Sequence, residues 1–273
     1  MPEPLVLAST LRGVRTLRMN NPRRLNGWTM DMMVELFGAM EGAADDDAVG
    51  ALVLTGTDPY YSAGVNLSSA VKLTWPRALR EMIRAQNQEL FDRFIDFPKP
   101  IVVAVNGPAL GATVTSATLC DAIVASEHAT FSTPFAKLGV TPEGCSSVHL
   151  PRLIGAEASA RMLGAEGWVP TADEALAVGL VDETVPHAAL LERAQARAEG
   201  YADSGRGRVF RAGATAEELK RINAQESAAL ADAFLDTPFL MGQYRFLRSR
   251  SKTGPALTFR ALAATRPLWS RML

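Results

Sequence analysis

Short apolar runs alternate with longer stretches in which apolar residues return every three or four positions, and this alternation governs residues 1 to 185. "LVLAST" and "VRTLRMN" flank Arg12-Gly13 and predict a hairpin. From about Thr29 to Ala43, Met30, Met33, Phe37 and Met40 mark one face of a helix. "GALVLTGT" predicts a buried strand ending in a glycine turn. Pro76 suits the first turn of a helix whose apolar face runs Leu79, Ile83, Leu90 and Phe94, and Pro98 and Pro100 end it. "IVVAV" is an uninterrupted strand, followed by the loop "NGPALG", a small-residue helix from about Ala112, and another strand in "DAIVAS". Strand, loop and helix thus occur twice over. The loops "SAGVNL" and "NGPALG" fall at equivalent ends of neighbouring strands, where ligands of open α/β sheets bind. Beyond Pro186 the texture changes to helices rich in Ala, Arg and Glu, with turn signals at "DSGRGR", "DTP" and "KTGP". The pattern predicts an α/β core over residues 1–190 and a helical carboxy-terminal region over 191–273.

Composition narrows the function classes. With 273 residues, 48% of them apolar, the chain can bury a full core. A net charge of -1 gives it no bulk attraction to nucleic acid or to an anionic membrane, so an anionic ligand has to be held by local groups. Two cysteines, Cys120 and Cys145, make neither a disulfide framework nor a zinc-ligand spacing, and point to a reduced, cytoplasmic home. "MPEPLVLAST" lacks the basic region and long apolar core of an export signal, and the tail "SRML" does not match a peroxisomal S-K-L ending. The uncharged run Pro100 to Cys120 contains Asn106-Gly107-Pro108 and reads as strand, loop and helix rather than a membrane span.

The common chemical signatures are absent. There is no dinucleotide or P-loop glycine motif, and "YYSAG" has Tyr60 where a nucleophile elbow needs glycine, so Ser62 reads as a loop hydroxyl. His128, His149 and His187 share no metal spacing, and no metal or separate cofactor is expected. The two glycine-centred loops read either as ordinary turns or as sources of unpaired N–H groups able to form an oxyanion hole. Glu143 stands in "GVTPEGCSS", in a stretch otherwise without formal charge from Leu138 to Pro151. It reads either as an acidic residue in the first turn of a helix, favoured by the dipole, or as a carboxylate whose apolar surroundings make it a base.

Taken together, "YYSAGVNL", "KPIVVAVNGPALGATVTSATLCDAIVASEHATFSTPFAKLGVTPEGCSS" and "PTADEALAVGLVDETVP" resemble the crotonase superfamily, the enoyl-CoA hydratase/isomerase fold, over about Leu5 to Pro186. The long middle segment is most similar to the monofunctional Δ3,Δ2-enoyl-CoA isomerases. The resemblance implies a spiral of repeated ββα units, an acyl-CoA substrate whose coenzyme A enters with it, and a homotrimer or dimer of trimers. It implies oxyanion N–H groups at Val65 and Ala112, and a single catalytic glutamate at Glu143. The two glutamates that hydratases of the family place around a water fall here at Thr115 and Phe135. Arg23 and Arg24, in "NNPRRLNGW", fall in the family's early loop beside the ligand and are candidates for the coenzyme A phosphates. Leu67, Leu110 and Phe135 are expected to surround the acyl chain, with the segment around Trp75 as a wall; Asn66, where an aspartate is common, is given no role. The activity implied is conversion of 3-enoyl-CoA to 2-trans-enoyl-CoA in fatty-acid β-oxidation. The alternatives are an enoyl-CoA hydratase and a non-catalytic acyl-CoA-binding member of the same fold.

Overall fold

A computed structural model describes residues 3–66 and 74–273. The chain opens with β1 (Val6–Leu11) and β2 (Val14–Met19), paired antiparallel as the hairpin pattern predicts. The turn between them places Arg12 and Gly13 at positive φ. Then come α1 (Met30–Asp45), β3 (Ala51–Gly56), α2 (Pro76–Asp96), β4 (Ile101–Val105), the two-residue β5 (Ala109–Leu110) and α3 (Ala112–Thr118). They are followed by β6 (Ala122–Ser126), β7 (Phe131–Ser132), α4 (Phe135–Leu138), α5 (His149–Ile154), α6 (Ala156–Leu163), α7 (Ala172–Ala177) and β8 (Glu183–Val185). Four longer helices close the chain: α8 (Leu190–Asp203), α9 (Ala216–Phe234), α10 (Thr237–Ser249) and α11 (Thr253–Trp269).

Among the described residues, six strands form one sheet in the order β1-β2-β3-β4-β6-β8, parallel from β2 onward, and β5 pairs with β7 in a small parallel sheet beside it. Strand alternation divides the core. Leu52 and Leu54, Ile101, Val103 and Val105, with Ile123 and Ala125, face one side together with Met32, Leu36, Phe91 and Phe94. Ala51 and Val53, Val102 and Ala104, Ala122 and Val124 face the other, against Leu190, Ala194 and Ala198 of α8. Both faces are covered, which is why these strands are apolar but for the buried Thr55 and Ser126. The division expected between residues 190 and 191 falls in the first turn of α8, a helix that lies on the sheet.

Helix α1 starts where Thr29 caps it, its hydroxyl accepting the N–H of Met32 at 3.2 Å. The face it buries is not the expected one. Met32, Leu36, Met40 and Ala43 enter the core, while Met30 is 51% exposed. Met30, Met33 and Phe37 instead form a second apolar stripe along a cleft. Helix α2 begins at Pro76 and buries Leu79, Ile83, Leu90 and Phe94, together with Phe91 and Ile95. Helix α9 lies along α2, tied to it by Arg80–Asp232 and Lys220–Asp96. Leu230, Ala231 and Phe234 meet Leu79 and Ile83 in a core that also takes in Phe239 and Leu240 of α10. No helix among the described residues is long and apolar enough to cross a membrane.

Candidate active site

A cleft of about 1000 Å³ opens between α1, α2, the two glycine loops and the turn before α5. Its walls are apolar, with Trp28, Met33, Phe37, Leu90, Leu110, Phe135 and Phe234, and Val65, Ala112, Asn87 and Glu143 converge on it. A large apolar hollow with few convergent polar groups is the ordinary form of a small-molecule site.

The loops that carry Val65 and Ala112 are fixed to one another. Leu110 N–H donates to the Ser62 carbonyl at 3.0 Å, and Ser62 and Ala109 form a parallel bridge. Gly64 has φ +80°, and a Cβ there would stand 2.6 Å from the Leu110 carbonyl oxygen, so only glycine lets the loops approach this closely. The Ser62 hydroxyl is structural: it donates to the Asn26 carbonyl at 2.7 Å and accepts the Gly64 N–H at 3.2 Å. Asn26 is fully buried and donates to the carbonyls of Thr57 and Tyr60, both at 2.7 Å. Trp28 flanks Val65 on a parallel bridge, taking the Gly64 carbonyl and accepting from Asn66 N–H, which leaves the Val65 N–H turned away. Ala112 is the first residue of α3, where a helix has no internal acceptor for its N–H. Among the described residues neither the Val65 nor the Ala112 N–H has an acceptor, and both residues border the cleft.

Glu143 lies in an extended turn six residues before α5, so it is not in the first turn of a helix. The turn is tightly held. Gly144 has φ +67°, and a Cβ there would come within 2.5 Å of the Phe91 ring and 2.7 Å of the Thr115 hydroxyl. The Glu143 carboxylate accepts the side-chain N–H of Asn87 at 2.5 Å. Burial raises its pKa to about 7; the Asn87 hydrogen bond opposes the rise, and the negative charge of Glu226 adds to it. The residue as a whole is half-buried, and what exposure it keeps faces the cleft.

Asn87 gives no sign of itself in the sequence. It is one polar residue on an amphipathic helix, and only the packing of α9 on α2 shows its use. Its side-chain oxygen accepts the Ser227 hydroxyl at 2.9 Å, which leaves the amide nitrogen to face Glu143. The network assigns the amide orientation.

The other expected residues are distributed unevenly. Leu110 and Phe135 line the cleft. Leu67 lies outside the described residues. Trp75 is 72% exposed and is not among the residues lining the cleft, so it is not a wall of it. Arg23 and Arg24 are exposed in a short 3-10 turn, and neither borders the cleft. The next residue, Leu25, accepts the Ala63 N–H at 2.9 Å, so that turn abuts the first glycine loop. Among the described residues the cations bordering the cleft are Arg93 and Arg250. Thr115 is 0% exposed and packed on Gly144, leaving no room for a longer side chain. Phe135 presents a ring where a second carboxylate would be needed for water. His149 Nε2–H donates to the Thr118 carbonyl in the core, and His187 links Ser126 to Asp58; among the described residues no cluster is arranged to hold a metal.

Comparisons with known proteins agree with this arrangement. Human enoyl-CoA delta isomerase 2 is 35% identical over 261 residues, which span 92% of this chain and 64% of that protein. The chain thus covers less than two thirds of that relative's length. The 2,3-dehydroadipyl-CoA hydratase of Escherichia coli (strain K12) is 31% identical over 189 residues, 69% of this chain and 72% of that protein. The crystal structure of an enoyl-CoA hydratase/isomerase from Pseudoalteromonas atlantica T6c superimposes with a TM-score of 0.77 at 26% identity, covering 90% of this chain and 97% of that one. Residues 9–250 match the family described as enoyl-CoA hydratase/isomerase, and the chain belongs to that family, within the crotonase superfamily and close to its enoyl-CoA isomerases.

Proposed function

We propose that the protein is a Δ3,Δ2-enoyl-CoA isomerase that converts 3-enoyl-CoA to 2-trans-enoyl-CoA with Glu143 as its base. The observation that carries this reading is the Glu143 carboxylate in an apolar part of the cleft, beside two N–H groups that have no acceptor among the described residues, with Thr115 and Phe135 at both positions where a hydratase places its carboxylates; Glu41 and Glu89, which also line the cleft, are paired with Arg93. The thioester carbonyl accepts the Val65 and Ala112 N–H groups. The Glu143 carboxylate removes a proton from C2, and the electron pair spreads through the carbonyl and the adjacent double bond as a dienolate. The N–H pair stabilises the charge that gathers on the thioester oxygen. Glu143, now neutral, returns the proton to C4, and the double bond moves to C2–C3. A base near neutrality suits both directions of this transfer, and an apolar cleft keeps the proton from exchanging with water between them.

The hydratase named among the relatives keeps hydration in view as the second reading. Against it, the buried Thr115 and the Phe135 ring occupy the positions where a hydratase would place the carboxylates that orient and deprotonate a water, and Glu41 and Glu89, the other carboxylates among the described lining residues, are paired with Arg93. Arg23 and Arg24 remain the proposed phosphate contacts for coenzyme A, on a turn that abuts the oxyanion loop. Assembly as a homotrimer or dimer of trimers and residence in the cytoplasm belong to the same proposal, the latter supported by two buried free cysteines. The test is turnover of 3-enoyl-CoA by the wild type and by Glu143→Gln. The wild type is expected to form 2-enoyl-CoA, and the variant to lose at least about 10²-fold in kcat while still binding acyl-CoA. Equal turnover by the two proteins, or faster hydration of 2-enoyl-CoA than isomerisation by the wild type, refutes the reading.

A further inference from the structure

Helix α9 carries a buried polar face that neither its fold nor the chemistry above requires. Asn223, Glu226 and Ser227 lie one turn apart, at 0%, 6% and 0% exposure, on a helix that otherwise buries leucines, alanines and a phenylalanine. An apolar stripe there would pack as well and avoid the desolvation of a carboxylate, which costs several kcal/mol unless it is compensated. Glu226 is turned toward the 143–147 turn, Ser227 toward Asn87, and Asn223 toward the next stretch of α2. Glu226 Oε1 accepts both the N–H and the hydroxyl of Ser147, at 2.8 and 2.5 Å. Ser227 orients Asn87, as described, and Asn223 donates to the Gln88 carbonyl at 2.8 Å and to Asp92 at 2.9 Å, which holds that stretch of α2 in register. The second oxygen of Glu226 is buried with no hydrogen-bond partner.

We propose that Glu226 is the positioning residue of the base: through its hydrogen bonds to Ser147 it anchors the Glu143–Ser147 turn from outside the cleft, and its charge is part of the surroundings in which Glu143 acts. The inference rests on the isomerase reading for its kinetic consequences only. The groups that face this cluster are few. They are Glu143 and Cys145 on the turn, Asp92 on α2, and Glu218 on α9, which is paired at 2.7 Å with Arg152 of α5. Burial pushes the Cys145 thiol well up, so it stays neutral; its S–H donates to the Leu219 carbonyl. Asp92 accepts from Asn223, and Glu218 is matched by Arg152, which leaves Glu226 as the carboxylate whose charge reaches Glu143 without a cation beside it. Burial raises the pKa of Glu226 too, against the hydrogen bonds from the 145–147 turn. Burial thus raises both carboxylates, and negative charge on Glu226 disfavours ionisation of Glu143.

Glu226→Gln and Glu226→Ala separate the two parts of the role. Glutamine keeps an acceptor for Ser147 and removes the charge, whereas alanine removes both. The Glu143 carboxyl is followed directly by NMR in protein labelled with 13C at the glutamate side-chain carboxyls, its signal identified by its loss in Glu143→Gln. The Glu143 midpoint is expected to fall in Glu226→Gln, since removal of a negative neighbour favours ionisation, and the acid limb of the kcat profile to fall with it. Glu226→Ala is expected to lower kcat by about tenfold or more at every pH with KM changed less than about threefold, and Glu226→Gln to restore most of that loss at high pH. An unmoved Glu143 midpoint in Glu226→Gln overturns the proposal, as does a Glu226→Ala variant that loses acyl-CoA binding as much as turnover. If the wild type fails to isomerise 3-enoyl-CoA, the isomerase reading fails, and the NMR titration still decides whether Glu226 governs Glu143.

Discussion

Asn87→Ala tests the base from the side opposite to Glu226. The substitution removes the 2.5 Å hydrogen bond that stabilises the ionised carboxylate, while the burial and the repulsion from Glu226 that raise its pKa persist. A hydrogen bond to a charged group contributes about 1.5–3 kcal/mol. One pKa unit corresponds to about 1.4 kcal/mol, so complete loss of the bond would raise Glu143 by about one to two units. Water from the cleft can occupy the vacated amide position, so the lower end applies. The midpoint is then expected to move from about 7 to about 8. At pH 7 the ionised fraction falls from about one half to about one tenth, a loss of about fivefold in kcat that is largely recovered above pH 9. Ser227 loses its acceptor on Asn87, but its hydroxyl already lies 3.4 Å from Asn223 Oδ1 and can turn there, which limits the structural damage. The assay is the pH profile of kcat between pH 5.5 and pH 9.5 for wild type and variant. An acid limb that stays in place or moves down, or a loss of equal size at every pH, would falsify the account of Glu143 as a base held partly in check by Asn87.

The raised carboxyl also has a cost in stability, and its sign follows from linkage. Folded Glu143 keeps its proton up to about 7, whereas the unfolded side chain releases it near its ordinary value of 4.5. The native state therefore binds more protons across that window, and stability declines as pH rises through it. Glu143→Gln is expected to match the wild type near pH 4 and to exceed it by about 2 kcal/mol above pH 7.5, allowing for solvent in the cleft. Urea denaturation at the two pH values measures this, and a difference independent of pH would contradict it. Gly64→Ala places a Cβ 2.6 Å from the Leu110 carbonyl and forces the two glycine loops apart. A displacement of that size misaligns the Val65 and Ala112 N–H groups, so kcat is expected to fall about 10²-fold with KM changed far less. Undiminished kcat in a folded Gly64→Ala protein removes the oxyanion assignment.

The strands and the two long helices of the first half are legible because each is dictated by local chemistry. Strands β3, β4 and β6 are apolar but for the buried Thr55 and Ser126, α2 has Pro76 at its start and Pro98 past its end, and the hairpin turns at Arg12-Gly13. Helix α1 is the instructive partial failure. Its methionines mark two apolar faces, and periodicity alone cannot tell the one that packs on the sheet, through Met32, Leu36 and Met40, from the one that lines a cleft through Met30, Met33 and Phe37. Glu143 was ambiguous for a related reason. "PEG" fits a helix start, and only the distance to α5 and the crowding of Gly144 against Phe91 and Thr115 show that it is held in a turn instead. Asn87, Glu226 and Ser227 are illegible in the sequence because their use depends on α9 lying along α2, with Asn87 and Ser227 140 residues apart in the chain, a contact that no local pattern encodes.

That contact explains why the base sits where α2, the 143–147 turn and α9 meet rather than on a single loop. A carboxylate in an apolar cleft tends either to become permanently protonated or to draw in water, and neither state can carry a proton from C2 to C4. Holding it near neutrality needs opposed influences: burial and Glu226 push the proton on, and the Asn87 hydrogen bond pulls it off. Each influence must be rigid, since a carboxylate that swings away from its amide changes both its reach and its affinity for the proton. Helix α2 supplies the amide, Ser227 on α9 fixes that amide, and Glu226 fixes the turn from the same face of α9. The burial of three polar side chains on one helix is thus intelligible only together with the ionisation of a fourth. A substitution that eases that burial, such as a leucine at Glu226, is expected to stabilise or destabilise the fold according to packing while always releasing Glu143 toward an ordinary carboxylate.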